Sequence, residues 1–432
     1  RVSTFNKDDW GSYTKSSLHE RSKIDIPGVY HSDVERPYNV FTNGLDTIQN
    51  PAFKEALEDS LHFFLEECNS LQGYQVLVDT DDAFGGLCIE VLDHIADDFG
   101  TKPVFTYATT PIVLEADHPH FGQYKDKATL NTALSLERLQ ERSAVYIPLS
   151  LRDTIGPSAS TRSSYTTHKH PHSGYKSSYG NGPDMFPVSA PLSHMDTTDN
   201  YQGSAVLATA VRNCIYPLTA ASSTAGGGGQ ASIPAQSMSS YAHLLTGGAS
   251  SAKCLALNHS LPWAMARAET KAHSNRGQQR QVREDESTSS QFRLDTAAWI
   301  RSYTPGYEGL VDDRLLREMV VVSHPDANMT NAMKDLYESH GMGLVANQNG
   351  ANYCDPINSL GITKDWVHGS GRIGTLTHLA QTSGMARYGE HVREALDEVS
   401  IRGYNEYDRG GIGSDDWEEV KDYLEGFGDV YR

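Results

Sequence analysis

The sequence predicts an α/β fold: a parallel sheet flanked by helices, followed by an α+β intermediate region and a helical C-terminal end. Three observations carry that expectation. Short apolar runs alternate with amphipathic stretches from residue 53 to residue 150. An Ala/Val-rich segment, Gly203 to Ile215, has the look of a buried helix. The last fifty residues hold two further stripes at helical spacing.

The elements follow in order. Residues 1–50 are polar and punctuated by Pro27, Gly28, Pro37 and Gly44, so regular structure is expected only after Pro51. Phe53, Leu57, Leu61, Phe64, Leu65 and Cys68 then recur at the three- and four-residue steps of a helix face. Tyr74–Val78 is a short apolar strand, and an Asp/Gly turn runs from Asp79 to Gly86. Leu87, Val91, Ile95 and Phe99 make one helical stripe; Pro103–Tyr107 is a second strand. A helix over Ala128–Gln140 and a strand over Ala144–Leu149 complete the pattern. Strands alternating with helices indicate βα units and a sheet covered on both faces.

From 152 to 200 the chain is rich in Ser, Thr, Tyr, His and Gly with no sustained period, which reads as a loop insertion. The Gly203–Ile215 helix should break at Pro217. Gly226–Gly229 and residues 267–290 read as further loops, Met319–Val322 as a buried strand, and Asn331–Ser339 as a short helix. Met385–Ile401 and Asp415–Gly426 are the C-terminal helices. The expected division is therefore 1–150 for the α/β domain, 151–200 for the insertion, 201–330 for a core helix with the intermediate region, and 331–432 for the helical end.

Lys and Arg number 36 against 55 Asp and Glu, a net charge of -19. Such a surface offers no footprint for nucleic acid. No stretch approaches the roughly 18 uncharged apolar residues of a spanning helix. Cys68, Cys88, Cys214, Cys254 and Cys354 are odd in number and form no CxxC pair, so buried thiols in a reducing compartment are the simplest reading. The chain begins at Arg1 rather than Met, and a further N-terminal strand is expected upstream.

Residues 66–99, EECNSLQGYQVLVDTDDAFGGLCIEVLDHIADDF, resemble the central βα unit of tubulins. The likeness continues through Lys102–Thr106, Pro111 and Ala128–Ser150, then through Asp199-Asn200 with Ser204 to Pro217. It returns at Tyr404-Asn405-Glu406-Tyr407, Gly410, Gly411, Asp415 and Glu418-Glu419. Within that superfamily the chain is most similar to Misato proteins. The matching residues are Trp10, Leu18-His19-Glu20-Arg21-Ser22 (with Glu20 in place of the family's Pro) and Asp81-Asp82-Ala83-Phe84-Gly85-Gly86.

The resemblance implies a tubulin-like fold, roles in mitochondrial distribution, morphology and DNA inheritance, and a place in the cytoplasm with association at the mitochondrial outer surface. It implies protein partners of mitochondrial or cytoskeletal kind, acidic C-terminal helices as one partner surface, and chaperonin-assisted folding. It also implies where a guanine nucleotide, GTP or GDP, would sit: on the turn Asp81, Asp82, Ala83, Phe84, Gly85, Gly86, with Asn200 at the guanine. A phosphate cradle needs glycines so that backbone N–H groups can reach the oxygens at a helix N-terminus. Here the turn is about one residue shorter than the tubulin version, places two carboxylates where phosphates would lie, and has an aromatic at a glycine position. Two like charges beside a triphosphate repel it unless a metal bridges them. The plainer reading of the turn is a strand-to-helix connection capped by Asp81 or Asp82.

In tubulins a second loop after the core helix carries the acid that positions the hydrolytic water. The matching stretch, Gly226 to Leu245 with Ser237-Met238-Ser239-Ser240, contains no acid. GTP hydrolysis is therefore not expected. The alternating His168, His170 and His172 and the His118/His120 pair lack the Cys or carboxylate partners of a metal site, and no metal is expected. No Gly-x-Ser-x-Gly elbow accompanies the serines. Two readings are carried forward: a non-catalytic tubulin-like organelle-inheritance factor, and a GTP-binding or filament-forming tubulin relative.

Overall fold

Residues 18–28, 35, 37–110, 121–150, 200–219, 237–248, 252–260, 301–305, 307, 314–323, 343–347 and 375–431 are described, in a computed structural model. They fall into two compact units: one of residues 1–146 with 389–427, the other of residues 147–388 with 428–432. The second unit thus interrupts the first, and both cut across the four segments read from the sequence.

In the first unit regular structure begins before Pro51, contrary to expectation. Helix α1 covers Phe41–Thr47 with Phe41, Thr42, Gly44 and Thr47 buried. Its Thr, Asn and Gly content is poor for a helix, so packing holds it. A Cβ on Gly44 would lie 1.9 Å from the Ala83 carbonyl oxygen. Helix α2, Pro51–Glu67, starts as its sequence directs: the Asn50 side chain accepts from the Ala52 and Phe53 N–H groups, and Pro51 takes the first helical position.

Strand β1 (Tyr74–Asp79), helix α3 (Phe84–Phe99), strand β2 (Val104–Thr110), helix α4 (Phe121–Arg142) and strand β3 (Val145–Ser150) follow in the predicted order. The sheet order is β1-β2-β3; β1 and β2 are parallel, with Tyr74 opposite Val104 and Asp79 opposite Thr109. β3 is buried throughout, and α4 buries Leu130, Ala133, Leu134, Leu136 and Leu139. Among the described residues of the sheet, Leu77 on β1 is 67% exposed.

Helix α4 also begins seven residues earlier than Ala128. That polar extension is held by side chains: Tyr404 donates to Asp126 at 2.7 Å, Lys127 pairs with Glu406 at 2.8 Å, and Lys125 with Glu398 at 3.3 Å. These partners come from residues 389–427, the far stretch of the chain that returns to this unit.

The second unit holds α5 (Asn200–Thr219), α6 (Met238–Thr246) and a five-stranded sheet. Its strands are β4 (Ala256–Ser260), β5 (Arg301–Ser302), β6 (Leu315–Ser323), β7 (Gly343–Asn347) and β8 (Thr375–Thr382), in the order β5-β4-β8-β6-β7. β8 is antiparallel to both β4 and β6, whereas β6 and β7 are parallel. The predicted strand over Met319–Val322 is the centre of β6; β7 and β8 occupy part of the stretch expected to be helical.

Helix α5 does not break at Pro217 but runs two residues past it. So close to the helix end, the missing N–H removes only one bond. Within the acid-free stretch Gly226 to Leu245, α6 begins where the Ser237 side chain accepts from Ser240 N–H, and Gly247, at φ 69°, closes the helix in the left-handed region. Buried polar side chains tie this unit together: the Thr377 hydroxyl accepts from Asn213 and bonds His259 Nδ1, each at 2.8 Å.

The C-terminal helices are α7 (Met385–Asp397), the five-residue α8 (Asn405–Arg409) and α9 (Ser414–Phe427). α9 buries Trp417, Val420, Leu424 and Phe427 and exposes Glu418, Glu419, Asp422 and Glu425. Residues 152–199, Gly226–Gly229, 267–290, Asn331–Ser339, His118, His120, His168, His170 and His172 lie outside the described residues. No helix among the described residues is long and apolar enough to cross a membrane.

Candidate functional site

The predicted turn does connect β1 to the N-terminus of α3, where a phosphate cradle would be built. Its glycines are buried, but the protein itself occupies the space beside them. A Cβ on Gly85 would meet Ser135 Oγ at 2.1 Å, and one on Gly86 would meet the Phe41 carbonyl oxygen at 2.1 Å. These glycines allow α1 and α4 to approach α3 closely.

The first N–H groups of the helix are used as well. Ala83 N–H donates to the Tyr38 carbonyl at 3.4 Å, and Phe84 N–H donates to Asp82 Oδ1 at 2.7 Å. Asp82 is therefore the capping acid that the plainer reading expected. Phe84, 39% exposed, sets its ring edge-on to Tyr38 at 5.3 Å.

Asp81 behaves differently. It is 7% exposed, with Tyr124 donating to Oδ2 at 3.3 Å and Oδ1 buried without a hydrogen-bond partner. Burial, reinforced by the neighbouring charge of Asp79, pushes its carboxyl from the ordinary 3.8 up to about 7. The turn thus presents a buried acid that resists ionisation, rather than donors aimed at an anion.

Asn131, which sequence reasoning did not single out, organises the surroundings. Fully buried, it donates to the carbonyls of Asn39 (2.9 Å) and Asp81 (2.8 Å). Its Oδ1 accepts from Phe41 N–H at 2.9 Å and from the Tyr407 hydroxyl at 2.7 Å. One side chain therefore joins α1, the turn, α4 and α8. Gly410, at the end of α8, lies against Thr42 so closely that a Cβ there would be 2.2 Å away. The signals that could have found this clamp were the tubulin-like helix pattern containing Asn131 and the motif containing Tyr407.

The residues present do not fit a guanine nucleotide's phosphates: two of the leading N–H groups are bonded, the glycines are packed against, and a carboxyl is buried in the turn. Asn200 is the first residue of α5, in the other unit. Ser237-Met238-Ser239-Ser240 also belong there, as the cap and first turn of α6.

The described thiols carry no chemistry in the turn. Cys88, Cys214 and Cys254 all have thiols pushed up by burial, Cys88 to about 12. Cys68 is exposed.

Comparison with known proteins finds likenesses to this part of the chain. A tubulin domain matches residues 3–178, which includes the turn and excludes Asn200. The chain is 29% identical to "Protein misato homolog 1" of Homo sapiens over 214 residues, covering 50% of this chain and 33% of that protein. It is 33% identical to "Protein misato homolog 1" of Danio rerio over 144 residues, 33% of this chain and 24% of that protein. With "Protein misato" of Drosophila melanogaster it shares 27% identity over 154 residues, 34% of this chain and 25% of that protein. The chain spans about a third or less of the length of these curated relatives. With the βα order and the Asp81–Gly86 turn inside the matched residues, the chain carries a tubulin-like domain and is similar to Misato proteins.

Proposed function

We propose that this chain is a non-catalytic tubulin-like scaffold. It acts through protein partners in mitochondrial distribution, morphology and mitochondrial DNA inheritance, in the cytoplasm and at the mitochondrial outer surface. The organelle setting rests on the similarity to Misato proteins. The non-catalytic part rests chiefly on one observation: the chain's own groups use the space and donors of the phosphate-type turn, through Phe41 O, Ser135 Oγ, Tyr38 O and Asp82 Oδ1. The acid-free stretch from Gly226 to Leu245 supports it further.

The partner surface in this reading is the acidic outer face of α9, Glu418, Glu419, Asp422 and Glu425. Deleting residues 404–432 would remove the buried Tyr407 and Trp417 and so confound the test. Replacing those four acids with Lys leaves the buried face intact. Partners recovered with the native chain should be lost with that variant; an unchanged set removes α9 as the surface.

The second reading is a guanine-nucleotide binder of the tubulin kind, forming filaments or hydrolysing GTP. The observation favouring it is Asp81 Oδ1, buried and without a partner where a magnesium ion could bridge to phosphate. It would use Asn200 to read guanine. Calorimetry with GTP and GDP, with and without magnesium, alongside phosphate release, separates the two. The scaffold reading expects no saturable binding and no turnover. Magnesium-dependent binding lost in Asn200→Ala would favour the second reading, and turnover would establish it.

A further inference from the structure

Away from the turn, α2 and α3 pack through Phe53, Leu57, Leu61, Leu87 and Val91, and His62 meets Phe99 edge-on at 5.0 Å. Beside this apolar seam three ligand-type side chains converge. His94 Nε2 lies 3.6 Å from Glu58 Oε1 and 3.4 Å from Asp98 Oδ2, and all three atoms lie within 4.8 Å of one another. The His94 side chain is 10% exposed, and its Nε2 is buried with no hydrogen-bond partner.

We propose that Glu58, His94 and Asp98 bind a divalent transition metal of the zinc class, which fastens α2 to α3. A buried imidazole nitrogen left unbonded is costly, and a metal in front of it removes that cost. Ligands about 2.1 Å from a tetrahedral ion stand roughly 3.4 Å apart, close to both measured separations. Those separations are too long for good N–H···O bonds. Two carboxylates and a neutral imidazole balance the double charge of the ion, and the exposure of Asp98 leaves a fourth position for water. One nitrogen with two oxygens suits zinc; magnesium prefers an all-oxygen octahedron. Lys54, 3.9 Å from Glu58 Oε1, is the competing cation. At 51% exposure it can swing into solvent.

The site is tested on the full chain after chelator treatment. Zinc titration against a chromophoric chelator should reveal a saturable site, cobalt should give a tetrahedral absorption band, and zinc should raise the thermal midpoint. Glu58→Gln, His94→Gln and Asp98→Asn should each weaken zinc by about tenfold or more and reduce the band. Glu58 and Asp98 lie at the rim, so their variants remain informative if His94→Gln unfolds. Millimolar magnesium should not compete. Zinc affinity unchanged in the three variants would overturn the proposal. So would loss of binding only on replacing His168, His170 and His172, absence of saturable binding, or displacement by magnesium.

Discussion

The two ends of α3 solve opposite problems. At its N-terminus the space is filled: Gly85 and Gly86 admit the Ser135 side chain and the Phe41 backbone, and neighbouring groups bond the first N–H groups. Toward its C-terminus side chains converge without completing one another, and His94 Nε2 is left buried and unbonded. The glycine-rich end looks like a ligand site in sequence yet is filled by the protein. The other end has no motif, yet there an unbonded ring nitrogen faces two carboxylates, whereas the unbonded Asp81 Oδ1 of the turn belongs to a carboxyl that burial holds back from ionising. A site is better located by unbonded atoms that converge with other ligand-type groups than by which residues resemble a cradle.

The sharpest way to break this comparison is Gly44→Ala. Helix propensity alone favours Ala over Gly by about 1 kcal/mol. The new methyl, however, would lie 1.9 Å from Ala83 O and 2.4 Å from Leu87 N, both backbone atoms. Net destabilisation of about 3 kcal/mol or more is expected in denaturant unfolding; a stabilised variant would show that the turn is not packed as described.

Asn131→Ala follows closely. It strips partners from Phe41 N–H, the Tyr407 hydroxyl and the carbonyls of Asn39 and Asp81, so about 3 kcal/mol should be lost. Tyr407→Phe removes one of those bonds and should cost about 1 kcal/mol by the same measurement.

Asp81→Asn sharpens the electrostatic half of the comparison. Because the folded chain holds the proton up to about pH 7 while the unfolded chain releases it near 3.8, wild-type stability falls as pH rises between those values and levels above 7. The neutral variant should escape that fall. It should be more stable than wild type by about 2 kcal/mol at pH 8, less than the full shift allows because the amide protons also need partners. The advantage should disappear by pH 4; an equal difference at both pH values would place the ionised form in a better-solvated setting.

The smallest effect is expected for Asp82→Ala, which removes the acceptor of Phe84 N–H. About 1 kcal/mol should be lost. If GTP then bound where it had not before, the capping acid would be what excludes phosphate.

The elements with strong local signals were legible in the sequence. Asn50-Pro51 announces α2, the stripe from Leu87 to Phe99 announces α3, and the apolar runs mark β1, β2 and β3. Helix α1 was not, because Gly44 and its neighbours favour a turn until α3 lies against them. The first two turns of α4 depend on Tyr404, Glu398 and Glu406 from the distant end of the chain. Pro217 suggested a break because the motif does not reveal how near the helix end it falls. In the turn the residue types were readable, but neither the burial of Asp81 nor the filling of Gly86 follows from the string of letters. Glu58 and His94 are brought together only by the packing of two helices, which no spacing rule reports.

The first unit draws its final pieces, residues 389–427, from beyond an interruption of more than two hundred residues. On a ribosome adding roughly 5–20 residues per second, α4 emerges about ten seconds or more before Tyr407 and Trp417 can cover it. During that interval Asn131 lacks its fourth partner, and the surface that will receive α9 stays open to water. The order of translation therefore imposes a waiting period on this unit, with its C-terminal pieces the last to arrive.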